Sequence, residues 1–151
     1  MQYLVDTGVW LCAFDGADDR YEAIREAFRR LNAAHHSLVL ARQNVAEFWN
    51  VSTRTNLARG GYGKPPEIVF RRLAWIERHA TIVPDPPAAY QQWKLLLHQF
   101  GIIGVASHDA RLVATMACLG IRRILTLNGK DFVRYRTLTV VTPEDIAAGK
   151  L

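Results

Sequence analysis

Gln2-Tyr3-Leu4-Val5-Asp6-Thr7-Gly8 is the stretch whose reading decides the fold. A short apolar run that favours extended backbone ends on an acid, and Thr7-Gly8 supplies a turn. Residues 7–14 then read as a brief helix. The same strand-then-helix alternation continues outward. Ser37-Leu38-Val39-Leu40, Thr81-Ile82-Val83, Ile124-Leu125-Thr126 and Thr139-Val140-Val141 are strand-like. Between them lie segments with helical spacing of apolar residues: Tyr21, Ile24, Ala27, Phe28 and Leu31 after the capping acids Asp18 and Asp19; about Arg42 to Leu57; Ile68 to Arg78; the stretch after Pro87 to about Phe100; and His108 to Leu119, which Ser107 caps and Gly120 ends. The loop of residues 60–66, Gly-Gly-Tyr-Gly-Lys-Pro-Pro, is too short to separate domains. Strands alternating with helices imply an α/β protein with a mostly parallel sheet and crossover helices. Such sheets bind ligands beyond the carboxyl ends of their strands. Asp6 stands at one such end, and Asn128 and Asp131 follow another.

At 151 residues, 50% hydrophobic and 22% charged, the chain has the size and composition of one globular domain. No apolar run approaches a membrane span, and the N-terminus lacks the basic region and long apolar stretch of a signal peptide. A cytoplasmic location is expected. Cys12 and Cys118 stand singly in no metal-binding pattern and are expected to be buried thiols. The net charge of +5 comes mostly from arginine, since only Lys64, Lys94, Lys130 and Lys150 are lysines. Arginine's planar fork suits phosphate, so a polyanionic partner fits this balance.

Four acidic segments carry the chemistry. Asp6 ends the first strand. Glu47 lies in Asn44-Val45-Ala46-Glu47-Phe48-Trp49-Asn50. Asp109 opens Ser107-His108-Asp109-Ala110-Arg111-Leu112-Val113-Ala114, and Asp131 follows Leu125-Thr126-Leu127-Asn128-Gly129-Lys130. Taken alone, each has a plain structural explanation: Asp6 as turn residue or cap, Glu47 as a solvent-facing helix acid, Asp109 as a first-turn acid favoured by the helix dipole. Asp109, however, heads the apolar stripe of Leu112, Val113 and Met116, and a carboxylate on a core-facing stripe needs partners. Converging carboxylates repel unless a cation neutralises them, and hard oxygen donors select Mg²⁺ or Mn²⁺. His35, His36 and His108 form no zinc spacing. Trp10, Trp49, Trp75 and Trp93 lie in helical stretches as core or interface residues.

Together, in this order, these segments resemble the PIN-domain ribonucleases, and most of all the VapC-like toxins of bacterial and archaeal toxin–antitoxin modules. The resemblance runs from residue 1 to about 143, leaving 144–151 as a short tail. It implies an α/β/α sandwich and a metal-dependent endoribonuclease, with Asp6, Glu47 and Asp109 as ligands of Mg²⁺ or Mn²⁺. The family's fourth acidic position falls at Asn128, with Asp131 able to serve instead, so the sequence is consistent with one ion or two. Thr7, Thr126 and Arg111 are the residues placed to position the substrate. Gly8 departs from the Ser or Asn more usual after the Asp-Thr pair. The resemblance further implies an RNA substrate, a small antitoxin partner and a homodimer. A non-catalytic PIN module that binds RNA or a protein is the alternative. A phosphotransferase that uses Asp6 as nucleophile would need a second Asp where Gly8 stands.

Overall fold

The computed structural model describes residues 1–55 and 60–150. Along the chain run β1 (Gln2–Val5), α1 (Thr7–Cys12), α2 (Tyr21–Ala33), β2 (Ser37–Ala41), α3 (Arg42–Thr53), α4 (Pro66–His79), β3 (Thr81–Val83), α5 (Ala89–Phe100), α6 (Ala106–Cys118), β4 (Arg123–Leu125), β5 (Thr139–Val141) and α7 (Pro143–Ala147). The strands form one sheet in the order β3-β2-β1-β4-β5, and every pair is parallel. The first strand of the sequence is therefore the central strand of the sheet.

Alternation along the strands divides the core into two layers. Tyr3, Val5, Leu40 and Leu125 face a layer built from α1, α2, α3, α4 and α7, with Trp10, Ile24, Phe48 and Ile76 fully buried in it. Leu4, Val39, Ala41 and Ile124 face the other side, where α5 and α6 supply Leu96, Ala110, Val113 and Met116. This is the expected α/β/α sandwich. Each large side chain so buried contributes about 1.5–3 kcal/mol relative to exposure.

Several local expectations change. Helix α3 ends at Thr53, and Leu57, its expected end, lies outside the described residues. Its last carbonyls are taken by the glycine loop: the Tyr62, Lys64 and Gly63 amides donate to the Val51, Ser52 and Arg54 carbonyls. Gly61 is obligatory in that approach, because a Cβ there would stand 2.1 Å from the Arg54 carbonyl oxygen. The chain after residue 143 is not simply a tail. Thr142 caps α7 with its hydroxyl, Pro143 occupies the first turn, and Ile146 is fully buried. Neither Asp18 nor Asp19 caps α2 by a side-chain bond; Asp18 instead clamps the Arg20 guanidinium at 2.7 and 2.8 Å. Helix α6 starts at Ala106, one residue ahead of Ser107. Cys12 is buried as expected, but Cys118 is exposed.

Candidate active site

Because β1 is central, Asp6 emerges at the middle of the carboxyl edge of the sheet. Its backbone amide still donates to the Leu125 carbonyl at 2.9 Å, so the strand geometry holds to the residue that turns. There the backbone remains extended, and Asp6 caps α1 with one carboxylate oxygen accepting from the Thr7 amide at 2.8 Å. Its other oxygen accepts from the Thr126 hydroxyl at 2.8 Å, delivered from the end of β4. Burial pushes the Asp6 carboxyl above its ordinary value. The Thr126 and Thr7 hydrogen bonds oppose that rise, and the charges of Glu47 and Asp131 add to it.

Thr7 begins a second chain of contacts. Its hydroxyl donates to Glu47 Oε2 at 2.8 Å and accepts from the Asn44 amide nitrogen at 3.1 Å. Asn44 is fully buried, and its Oδ1 accepts from the Ala41 amide at 3.0 Å at the start of α3. Glu47, one turn later, presents its other oxygen to Gln43 Nε2 at 3.0 Å. The same nitrogen donates to the His108 carbonyl at 2.9 Å, so α3 is tied to the first turn of α6. Trp93 Nε1 donates to the Ser107 carbonyl at 2.9 Å and fixes that turn from α5.

Asp109 differs from Asp6. It is half-buried in the first turn of α6, and its carboxylate takes no hydrogen-bond donor among the described residues. Burial, followed by the charges of Asp131, Asp6 and Glu47, pushes its pKa up to about 6; nearby His108 opposes the rise. Asp131 closes a single 3₁₀ turn, Gly129–Asp131, and accepts a short hydrogen bond from the Asn128 side chain. The Asn128 amide in turn donates to the Thr126 hydroxyl at 3.1 Å.

Asp6, Glu47, Asp109 and Asp131 thus meet within electrostatic reach of one another. As placed, no three acidic, histidine or cysteine side chains among the described residues are grouped closely enough to hold a metal ion. Thr7 and Thr126 join the cluster as hydrogen-bond partners, and Asn128 joins it as a donor to Asp131. Arg111 does not join. It lies about 200° around α6 from Asp109, exposed beside a small cleft with Asp85 and Tyr90. Gln43 and Asn44 are the two site residues that sequence reasoning overlooked. The signal for Asn44 was its spacing of one helical turn from Glu47, which puts both side chains on the face that meets Thr7.

A family model for the PIN domain matches residues 3–138. The chain belongs to the PIN-domain family. Comparison with curated protein sequences gives no significant match. Several solved structures share the fold of this PIN domain. VapBC2 from Rickettsia felis, bound to a DNA fragment from its promoter, aligns with TM-score 0.68 and 20% identity over 94% of this chain and 98% of its own. VapC20 of Mycobacterium tuberculosis, a toxin that cleaves the sarcin–ricin loop, aligns with TM-score 0.63 and 18% identity over 88% and 95%. A toxin–antitoxin complex from Klebsiella pneumoniae aligns with TM-score 0.59 and 19% identity over 93% and 97%. Among the described residues, no helix of this PIN domain is long and apolar enough to cross a membrane.

Proposed function

We propose that this PIN domain is a divalent-cation-dependent endoribonuclease acting in the cytoplasm as the toxin of a toxin–antitoxin pair. The observation that carries the reading is the meeting of Asp6, Glu47, Asp109 and Asp131 at the carboxyl edge of β1 and β4, with Asp109 raised to about 6 by burial and by its acidic neighbours. Structural carboxylates are ordinarily paired with donors or cations; Asp6, Glu47 and Asp131 take donors, but Asp109 faces these three acids with no donor among the described residues.

The donor set fits a hard divalent cation. Two acceptors at the site lack a donor among the described residues: the Asp109 carboxylate and the buried Gln43 Oε1. A hydrated Mg²⁺ or Mn²⁺ ion meets both needs, since Mg²⁺ commonly binds through one or two carboxylates and keeps several waters. Asp6 and Asp109 would hold it directly. Glu47, whose two oxygens already accept from Thr7 and Gln43, would act directly or through water. Asp131, latched by Asn128, supplies the fourth acidic position. Such an ion lowers the pKa of water and offsets the negative charge growing on the phosphate oxygens.

The protein's own part is orientation. The Thr126 and Thr7 donors fix both oxygens of Asp6, and Asn44 and Gln43 fix Thr7 and Glu47 in turn. The carboxylates are thereby aimed before substrate arrives, so little reorganisation remains for the chemical step. An RNA strand would lay its scissile phosphate across this edge. The reading also brings a small antitoxin that covers the edge, supported by the toxin–antitoxin complexes among the fold's relatives, and, from the family resemblance alone, a homodimer.

The test is cleavage of tRNA and total RNA by the purified chain with Mg²⁺, Mn²⁺ or EDTA, beside Asp109→Asn. Discrete products that need the metal and vanish in the variant support the nuclease. A folded protein that neither cleaves RNA nor binds metal would instead be a non-catalytic binding module.

A further inference from the structure

A groove of about 860 Å³ lies between α5, the second half of α6 and the segment that joins Asp131 to β5. Three of its lining residues are the arginines Arg122, Arg134 and Arg136, and no acidic residue lines it. All three arginines are exposed, and none has a carboxylate partner among the described residues. Elsewhere on the surface Arg20 is paired with Asp18, and Arg29 and Arg30 with Glu26. The groove is a local concentration of unpaired guanidinium groups on a chain of net charge +5.

Its position relates it to the acidic edge in two ways. Asp109, Val113 and Ala117 follow one another at helical spacing on α6, and Val113 and Ala117 line the groove. The groove floor is therefore the same helix stripe that Asp109 heads, beginning about 6 Å and reaching about 12 Å along the axis. The opposite wall starts at Arg134, three residues after Asp131. Tyr135, between Arg134 and Arg136, packs edge-on against Phe100 at 5.1 Å, and its hydroxyl feels the Asp109 charge.

We propose that this groove, which runs from Val113 and Arg134 near the acidic edge to Arg122 at the amino end of β4, holds the phosphate backbone of the RNA as it leads away from the cleavage point, with Arg122, Arg134 and Arg136 as positioning residues. The inference rests on the ribonuclease reading and assigns the part of the protein that captures substrate. Its chemistry is suited to that task. The acidic edge repels phosphate, so a strand must be held by cations next to it, and forked guanidinium groups do this without reading bases. Gln92 and Gln99 on α5 add neutral donors along the same groove.

The test uses fluorescein-labelled poly(U) RNA and the full chain in EDTA, which separates binding from cleavage. The variants are Arg122→Gln/Arg134→Gln/Arg136→Gln and the corresponding triple Lys replacement. Wild type should bind, and the Gln triple should bind at least about tenfold more weakly, with a salt-dependence slope reduced by about 2 for three lost contacts to a single strand. The Lys triple should keep most of the slope. In cleavage with metal, the Gln triple should raise KM far more than it lowers kcat. Arg122→Gln and Arg136→Gln singly carry the same test should the triple fail to fold. Unchanged affinity and slope in a folded Gln variant would overturn the proposal. So would loss of antitoxin binding with RNA binding intact, which would make the groove a protein-docking surface. RNA binding that depends on the arginines, without metal-dependent cleavage, would uphold the groove and sink the nuclease reading. Metal-dependent cleavage insensitive to the arginines would do the reverse.

Discussion

At the β1 end of the acidic edge both Asp6 oxygens accept donors, from Thr7 and Thr126, whereas at the α6 end the Asp109 carboxylate has none among the described residues. Both carboxyls are raised by burial, but hydrogen bonds restrain the first and acidic neighbours aggravate the second. One half of the site is built as scaffold, and the other is left to be completed by what binds. Charge is easiest to place where a strand ends among backbone amides, and hardest at a half-buried helix start facing three other acids.

The sharpest way to break this comparison is to neutralise each half. Asp6→Asn and Asp109→Asn should each lower the rate of RNA cleavage by about 10²–10³-fold or more, the scale of losing one preorganised electrostatic element, while circular dichroism shows the fold intact. A folded variant that cleaves at the wild-type rate would remove that residue from the account. Thr126→Val comes next. It keeps shape but deletes the hydroxyl that donates to Asp6 and accepts from the Asn128 amide. The rate should fall about 10–100-fold, as for loss of a group that orients a ligand. Because that donor lowers the Asp6 pKa, the acid limb of the pH–rate profile should move to higher pH; a limb that stays in place would mean Asp6 does not set it.

Asn44→Ala probes the scaffold half without touching a carboxylate. It strands the Ala41 amide and removes the donor to Thr7 in a fully buried position, at a cost of about 2–3 kcal/mol in denaturant unfolding. The smallest effect concerns Asp109 and stability. Its folded pKa of about 6 lies above the ordinary 3.8, so the folded chain retains a proton that the unfolded chain gives up between those values. The contribution to stability is greatest below the unfolded value and is lost as pH rises toward and through 6. In EDTA, Asp109→Asn should therefore be more stable than wild type at pH 7, by about 1 kcal/mol after discounting for a half-exposed side chain, and the gain should vanish near pH 4. An Asn variant less stable than wild type at pH 7 would mean Asp109 is already paired.

The scaffold half was the more legible in sequence. An acid that ends a strand fixes its own position once the sheet is parallel, so Asp6 was readable from order alone, whereas Thr7 and Thr126 were singled out through the family resemblance. Asn44 and Gln43 were not, because a polar residue in the first turn of a helix has an ordinary capping role, and only the folded chain shows it facing Thr7. Arg111 was misplaced for the converse reason: two residues from Asp109 in sequence is more than half a turn away on a helix. Of the groove arginines, Arg122 stands just before β4 while Arg134 and Arg136 lie between β4 and β5; no motif joins them, and the return of the chain to the sheet brings them together.

The most direct measurement is calorimetric titration of Mn²⁺ into the RNA-free protein at pH 7, wild type beside Asp109→Asn, with Arg111→Ala as control. The account expects binding by wild type and by Arg111→Ala, and at least tenfold weaker binding when Asp109 is neutralised. Absence of binding by the folded wild type, or equal binding by Asp109→Asn, would contradict the claim that these carboxylates are brought together to hold a cation.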